Sequence, residues 1–443
     1  MRKELHYFDI FPKAVPANQE SEVVIRFLEP RFFQEEGCAM TIAIVPLFES
    51  NEHVGGVSHP EVSEVYRDGC VRFSHRFGDE QEYFIRLYLE PERYIQLSVY
   101  ALEPDLYGRR PLKGDLHSHT TYSDGSESPE SVIAYYRMDG FDFTVISDHY
   151  KYEGAQAAQA FYKDVKTDFH IVSGEEVHAP DNHIHIVNFG GNFSVNRLYQ
   201  EDEAGYRRDV TEIMARTSVP EGINAFEYAS CLWITEKIRA GGGLSIYAHP
   251  HWLSNAYHVR DTMTRWMFEH PAFDVFELLG GQTQWENNMQ IAIYQEHLRR
   301  GGADFPVVGS SDSHGVVRAN GAGSSYPIGE MNPFGFGDLK TIVFAKQNTT
   351  PEIIDAVRNR YCSPVSEYKG EAPQAHGDYR MASYTLFLLR EYFPLHDALC
   401  VEEGRLMKEM AARIPGAAEE LSGLYGRTER LMCRYFPGIE ARV

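Results

Sequence analysis

At 443 residues the chain is long enough for two or three units that each bury a core, and its 43% hydrophobic and 13% aromatic content is that of a folded protein. A net charge of −22 excludes a broad polyanion-binding face, because neutralising phosphates needs a basic surface. No run approaches the roughly 18 to 20 apolar residues that span a bilayer, and MRKELHYFDIFPKAVPANQE lacks the apolar stretch of a signal peptide, so a cytoplasmic protein is expected.

Residues 1–108 read as a β-rich, sandwich-like domain. Runs at 21–28, 39–46, 70–77, 83–89 and 94–101 are separated by turn-rich stretches. Met40, Ile42 and Ile44 share one strand face, while Ile95, Leu97, Val99 and Ala101 oppose Tyr94, Gln96, Ser98 and Tyr100. YGRRPLKG at 107–114 links to the next unit. Over 109–365 the pattern changes to strands followed by helices, an α/β arrangement that predicts a parallel sheet or barrel. Ser128 and Pro129 read as the cap and first position of a helix that carries Val132, Ile133 and Tyr136 on one face and ends at Gly140. Strands are predicted at 142–147, 170–175, 243–248 and 305–310. Residues 366–443 read as a helical segment, with Leu406, Met407, Met410 and Ile414 at helical spacing and breaks near Pro394 and Pro415. The cysteines (Cys38, Cys70, Cys231, Cys362, Cys400, Cys433) form no CxxC pair and are expected as buried thiols in a reducing compartment.

GDLHSHTTYSDG, residues 114–125, puts His117 and His119 two apart, so that a strand sends both to one side, and places Asp124 five residues beyond. Other strand candidates also run into metal-ligand types. FDFTVISDHY ends in Asp148 and His149, and FHIVSGEEVHAPDNHIHIVNFGG supplies Glu175, Glu176, His183 and His185. LSIYAHPHW supplies His249 and His251, and FPVVGSSDSHG supplies Asp312 and His314. A single HxH is a weak signal, since a lone histidine is more often satisfied by a hydrogen bond. Repetition at successive strand ends is not, because barrel strands converge at their carboxyl ends. Imidazole with carboxylate suits zinc, manganese or iron, and the absence of cysteine argues against a closed structural zinc site.

Over residues 114–365 these ordered motifs resemble the PHP (polymerase and histidinol phosphatase) family of metal-dependent hydrolases. The resemblance implies a distorted (β/α)7 TIM-like barrel holding up to three divalent ions on nine ligands. It implies that HxH contributes His117 and His119, SDG contributes Asp124, SDH contributes His149 and GEE contributes Glu176 as a bridge between two ions. The following strand contributes His185, AHP contributes His249, and SDSH contributes Asp312 and His314. Glu175 would point to the opposite strand face from Glu176. His183 and His185 share a face and compete for one ligand position, which we assign to His185, leaving His183 to touch substrate or to support the ligands from behind. Asp115 and Asp148 stand beside ligand histidines and could orient imidazoles or serve as caps.

The resemblance implies hydrolysis of a phosphoester by an activated water, with His117, His119, Glu176 and Asp312 at the reacting centre and the set Asp124, His149 and His314 holding phosphate oxygens through a third ion. Two or three divalent ions against the carboxylates of Asp124, Glu176 and Asp312 leave the pocket locally cationic, which suits a small phosphorylated substrate. Arg260 and Arg318 follow ligand-bearing loops and could clamp a phosphate, while His178 and His251, with Tyr150, Lys151 and Trp252, are candidates to line the pocket. Tyr150 after the DH pair and the run HPHW argue away from nucleotide or histidinol phosphate substrates. LKGDLHSHTTYSDG after a β-rich region also resembles a branch typified by carbaryl hydrolase, which implies a carboxylic or carbamate ester instead. A third reading makes the metals structural and the chain a binding module; the filled ligand positions and the loop RANGAGSS argue against it. The partners expected are a small molecule and a second copy of the chain, not extended nucleic acid or membrane.

Overall fold

Apolar and polar residues alternate through the first hundred positions, and in the computed structural model they form two facing sheets. The structure describes residues 2–48, 59–253, 255–280, 283–315, 337–368 and 370–440. The strands of this region are β1 (Phe8–Phe11), β2 (Ala14–Pro16), β3 (Glu20–Phe27), β4 (Ala39–Pro46), β5 (Glu61–Val65), β6 (Cys70–Arg76), β7 (Gln81–Glu90) and β8 (Arg93–Leu102). One sheet runs β1-β3-β6 and the other β2-β8-β7-β4-β5. Met40, Ile42 and Ile44 meet Ile10, Val23, Ile25 and Phe73 in the core between them, the sandwich packing that follows from one buried face per sheet.

The opposite face of β8, read as polar, is covered as well. Ser98 and Tyr100 are buried, and Tyr384 and Phe387 on the helix Tyr379–Glu391 pack against Tyr100, tilted and edge-on, at ring distances of 5.0 and 5.3 Å. The chain divides into two compact units. The first takes the residues up to Arg110 together with 382–399 and 426–443, and the second takes 111–381 with 400–425. The C-terminal stretch expected as a segment of its own is thus shared between them. In the first unit, the buried guanidinium of Arg110 clamps Glu429 in bidentate fashion at 2.6 and 2.9 Å; in the second, buried Arg137 reaches Glu403 at 2.6 Å. The first pair ties a late helix to an early strand and the second ties one to the helix Pro129–Met138, and removing one partner would strand a buried charge.

The second unit is built on β9 (Arg110–Asp115), β10 (Phe143–Ile146), β11 (His170–Val177), β12 (Ile186–Phe189), β13 (Leu244–Tyr247), β14 (Val275–Gly280), β15 (Val307–Ser310), β16 (Leu339–Ala345), β17 (Cys362–Ser366) and β18 (Gln374–Ala375). They form one sheet in the order β15-β14-β13-β12-β11-β10-β9-β16-β17-β18. Strands such as FTVI and VFELLG are buried on both faces, which explains their lack of alternation. The sheet is mixed rather than parallel. β12 runs antiparallel to both β11 and β13, and β17 antiparallel to β16. It curls until its two halves meet: Thr341 on β16 accepts from the Gly309 amide of β15 at 2.9 Å, and beyond the strand ends Ser118 bridges to Ser313, with the His119 amide donating to the Ser313 carbonyl at 2.9 Å. Helices including Pro129–Met138, Glu153–Tyr162 and Ala225–Ala240 pack outside it. The first starts at Pro129 after Ser128 and is followed by Gly140 at φ 82°, a left-handed turn that glycine adopts without a Cβ clash. All cysteines are free thiols, and Cys231 and Cys362 are pushed up to about 12 by burial. Among the described residues no helix is long and apolar enough to cross a membrane.

Candidate metal centre

The curled sheet gathers the ends of its strands. β9 stops at Asp115, and the extended residues beyond it carry His117 and His119 inward, both fully buried. β10 runs into Asp148 and His149, β11 carries Glu176 near its end, β13 runs into His249, and β15 runs into Asp312 and His314. Because β12 is antiparallel, its start lies beside the end of β11, with Val177 opposite Ile186. His185, just before β12, therefore reaches the same place as Glu176. The backbone is bent to deliver these groups. His249 sits at φ 25°, Asp312 at 47° and Tyr150 at 60°, left-handed conformations that cost about 1–3 kcal/mol each and concentrate at functional sites.

Three overlapping donor sets result, His117 with Glu176, His249 and Asp312, His119 with Asp124, His149 and His314, and His149 with Glu176 and His178; in each, the ligand atoms lie within 4.8 Å of one another. Glu176 stands in the middle. Its Oε1 lies 2.7 Å from His185 Nδ1 and 3.2 Å from His249 Nε2. Its Oε2 lies 3.2 Å from His117 Nε2, 3.4 Å from His119 Nε2 and 2.8 Å from His149 Nδ1. Asp312 Oδ1 lies 2.9 Å from His119 and 3.2 Å from His117, and Asp124 is 3.3 Å from His314 and 3.5 Å from His149. Yet Glu176 Oε2 and the Nδ1 atoms of His185 and His249 are buried without a hydrogen-bond partner among the described residues, which is costly unless something else satisfies them. Of these, Glu176 Oε2 and His185 Nδ1 lie within the cluster, where a divalent cation would satisfy them, and the N/O donor set suits zinc, manganese or iron.

Electrostatics follow from the crowding. Burial resists charge on His117, but Asp312, Glu176 and Glu277 raise its pKa well above the usual value. His119 is pushed down to about 3 by burial and by the charges of His149 and His314. His314, although buried, is raised to about 9 by its hydrogen bond to Asp124 and by Asp312. Glu176, despite burial, is held well below the carboxylate range by His185, His149 and His117.

The supporting residues differ from those the spacing suggested. Asp115 and Asp148 do not orient imidazoles. Asp115 accepts from the amides of His117 and Ser311, both at 3.1 Å, and from Tyr136 at 3.0 Å; burial raises it to about 6. Asp148 accepts from the Thr120 amide and hydroxyl and from Ser123, each at 2.7 Å. Both carboxylates brace the loop between His117 and Asp124. The orienting carboxylate is Glu277 of β14, which no motif marked: Oε1 is 3.1 Å from His117 Nδ1, and Oε2 accepts from the His249 amide at 3.0 Å. Glu175 points to the other face and receives Ser194, Asn188 and Asn196 at 2.7, 3.2 and 2.9 Å.

Among the residues expected to touch substrate, His178 joins the cluster, 2.8 Å from His149. His183 turns outward to Glu227 at 2.8 Å with its side chain 80% exposed. His251 turns to Asp261 at 3.3 Å and packs on Tyr257. Arg260 is exposed at the start of the helix Asp261–Glu269 and lines, with His183, Glu227 and His258, a cavity of about 290 Å³. Arg318 and the RANGAGSS loop lie outside the described residues. His258, also unmarked by any motif, packs its ring 4.2 Å from that of His185 and is pushed down to about 4 by burial and by His249.

No family model matches the chain, and no curated protein matches it. Among solved structures it is similar to a two-domain protein containing a predicted PHP-like metal-dependent phosphoesterase from Bacteroides vulgatus, with 16% identity over 65% of this chain and 72% of that one and a TM-score of 0.42. It is also similar to a candidate metal-dependent phosphoesterase from Bifidobacterium adolescentis (18% identity, 50% and 93% covered, TM-score 0.33). An amidohydrolase from Chromobacterium violaceum matches at 17% identity, with 46% and 87% covered and a TM-score of 0.31. The chain is similar in structure to PHP-like metal-dependent phosphoesterases.

Proposed function

We propose that this chain is a PHP-type metal-dependent hydrolase with a distorted barrel, whose substrate is a small phosphorylated molecule. The observation that carries the reading is the Glu176 carboxylate, buried between imidazoles on both of its edges, with one oxygen left without a hydrogen bond. His117, His119, Asp124, His149, Glu176, His185, His249, Asp312 and His314 would hold two or three divalent ions, which when bound would supply Lewis acidity toward a water and a phosphoryl group. The chain's own residues prepare that site. Glu277 accepts a hydrogen bond from His117 Nδ1, which turns Nε2 inward, and it also accepts from the His249 amide. Asp115 and Asp148 fix the loop that presents His119 and Asp124, and burial keeps competing water away. Against divalent ions the carboxylates of Asp124, Glu176 and Asp312 leave the centre positive, while the chain's charge of −22 disfavours an extended polyanion. Both point to a compact anionic ester.

The β1–β8 sandwich ahead of KGDLHSHTTYSDG favours, as a second reading, the carbamate or carboxylic ester substrate of the carbaryl-hydrolase-like branch. Turnover of p-nitrophenyl phosphate, bis(p-nitrophenyl) phosphate and aryl carbamates by metal-loaded protein separates the two. Phosphoester hydrolysis is expected, lost by about a thousandfold or more in His117→Ala and Glu176→Ala with circular dichroism unchanged. Activity retained in either variant overturns the assignment of the centre. Carbamate turnover without phosphoester turnover establishes the second reading in place of the first.

A further inference from the structure

His149 belongs to two of the donor sets, and its ring nitrogens face different neighbours. Nε2 is 3.5 Å from Asp124, in the set with His119 and His314. Nδ1 is 2.8 Å from His178 Nε2 and equally near Glu176 Oε2. A neutral imidazole has one proton and one lone pair. For His149 to offer its lone pair to a cation beside Asp124 and His314, its proton must be on Nδ1 and needs an acceptor there. Among the described residues His178 Nε2 meets His149 Nδ1 with hydrogen-bond geometry at 2.8 Å, while Glu176 Oε2, a charge partner at the same distance, does not. The reverse assignment, with His178 donating, would leave the His149 proton on Nε2, where it would block the donor set.

His178 is itself firmly held. It follows directly on β11, its carbonyl accepts from the Tyr199 hydroxyl at 2.9 Å, and its amide donates to Asn196 Oδ1 at 3.3 Å. Its ring lies against that of His185 with centroids 3.8 Å apart. We propose that His178 is a positioning residue, accepting the Nδ1 proton of His149 so that His149 Nε2 faces Asp124 and His314 as a bare donor and Glu176 stays free for cations. A carboxylate or carbonyl ordinarily takes this part for a ligating histidine. Here a carboxylate in that place would add negative charge beside Glu176, whereas an imidazole orients His149 without adding any.

The inference rests on the metal-centre part of the proposed function, and its test reads binding rather than turnover. His178→Gln keeps an acceptor and His178→Phe removes it at similar size. Cation stoichiometry and affinity are measured by calorimetry with Zn²⁺, and geometry by the visible absorption of the Co²⁺-loaded protein. In H178F the affinity of one equivalent is expected to fall by about 10- to 100-fold, with its Co²⁺ band altered and the other equivalents intact, while H178Q stays within about threefold of wild type. Wild-type binding by H178F overturns the proposal. So does equal loss in H178F and H178Q, which would make His178 a direct ligand with His149 and Glu176, whose donor atoms are close enough to share an ion. Should H178F fail to fold, H178L takes its place beside H178Q, with the same expected and overturning results. Intact binding without phosphoester turnover would sink the proposed substrate and leave this inference standing.

Discussion

Glu277 shows what one buried side chain contributes. Fully buried on β14, its carboxylate is divided between His117 Nδ1 and the amide of His249, so it sets the direction of one imidazole and the position of another. Glu277→Gln keeps the volume but replaces one acceptor oxygen by an NH2 group, which either faces the His117 proton or leaves the His249 amide unpaired. Affinity for Zn²⁺ is expected to fall by about 10- to 100-fold in titration calorimetry, with little change in circular dichroism. Unchanged affinity would show that packing alone orients His117. The sequence hid this residue for a physical reason. VFELLG reads as a short apolar strand with one stray acid, and nothing local tells that its neighbours across the sheet are β13 and β15. His117 and His119 sit in a two-residue spacing that strand geometry turns into a direction, whereas Asp124, His149 and Asp312 were drawn in by the resemblance of their motifs.

At the scale of elements, the antiparallel strand β12 decides which histidine enters the site. HIH puts His183 and His185 on the same strand face, so periodicity cannot choose between them; pairing to β11 begins at Ile186 and places His185 beside Glu176, leaving His183 outside with Glu227. That pairing joins consecutive strands antiparallel, and the expectation of a parallel sheet concealed it. Strands whose runs alternate, such as β4 and β8, were visible in the sequence; β14, β16 and β17, buried on both sides, carry no period to read. Behind β11, Glu175 fastens the helix Val195–Glu201 by accepting from Ser194, Asn188 and Asn196, and that helix in turn clamps the backbone of His178. Glu175→Ala would leave these buried donors unpaired, and a loss of about 2–4 kcal/mol is expected in urea denaturation of the metal-free protein. A loss below about 0.5 kcal/mol would mean that the helix is held by its apolar contacts alone.

For the molecule as a whole, the donor cluster links stability to pH and to cations together. Without cations, His314 is held charged by Asp124, its pKa raised to about 9 from an ordinary value near 6.5. A group whose folded pKa is raised stabilises fully below its unfolded pKa and loses that contribution as pH rises through the folded value. The metal-free fold should therefore lose this stabilisation between about pH 6.5 and 9. Cation binding needs the same imidazole deprotonated, so affinity rises with pH over that window, and a ligand that binds only the folded state stabilises by RT ln(1 + [L]/Kd), about 2.7 kcal/mol at a hundredfold excess over Kd. The two effects have opposite signs for the two forms. The gap in Tm between Zn²⁺-loaded and chelator-treated protein is therefore expected to widen from pH 6.5 to pH 9 in scanning calorimetry, and to widen less in Asp124→Asn, where His314 has lost its charged partner and begins nearer its ordinary pKa. A gap that narrows with pH would show that His314 does not give up its proton to a cation.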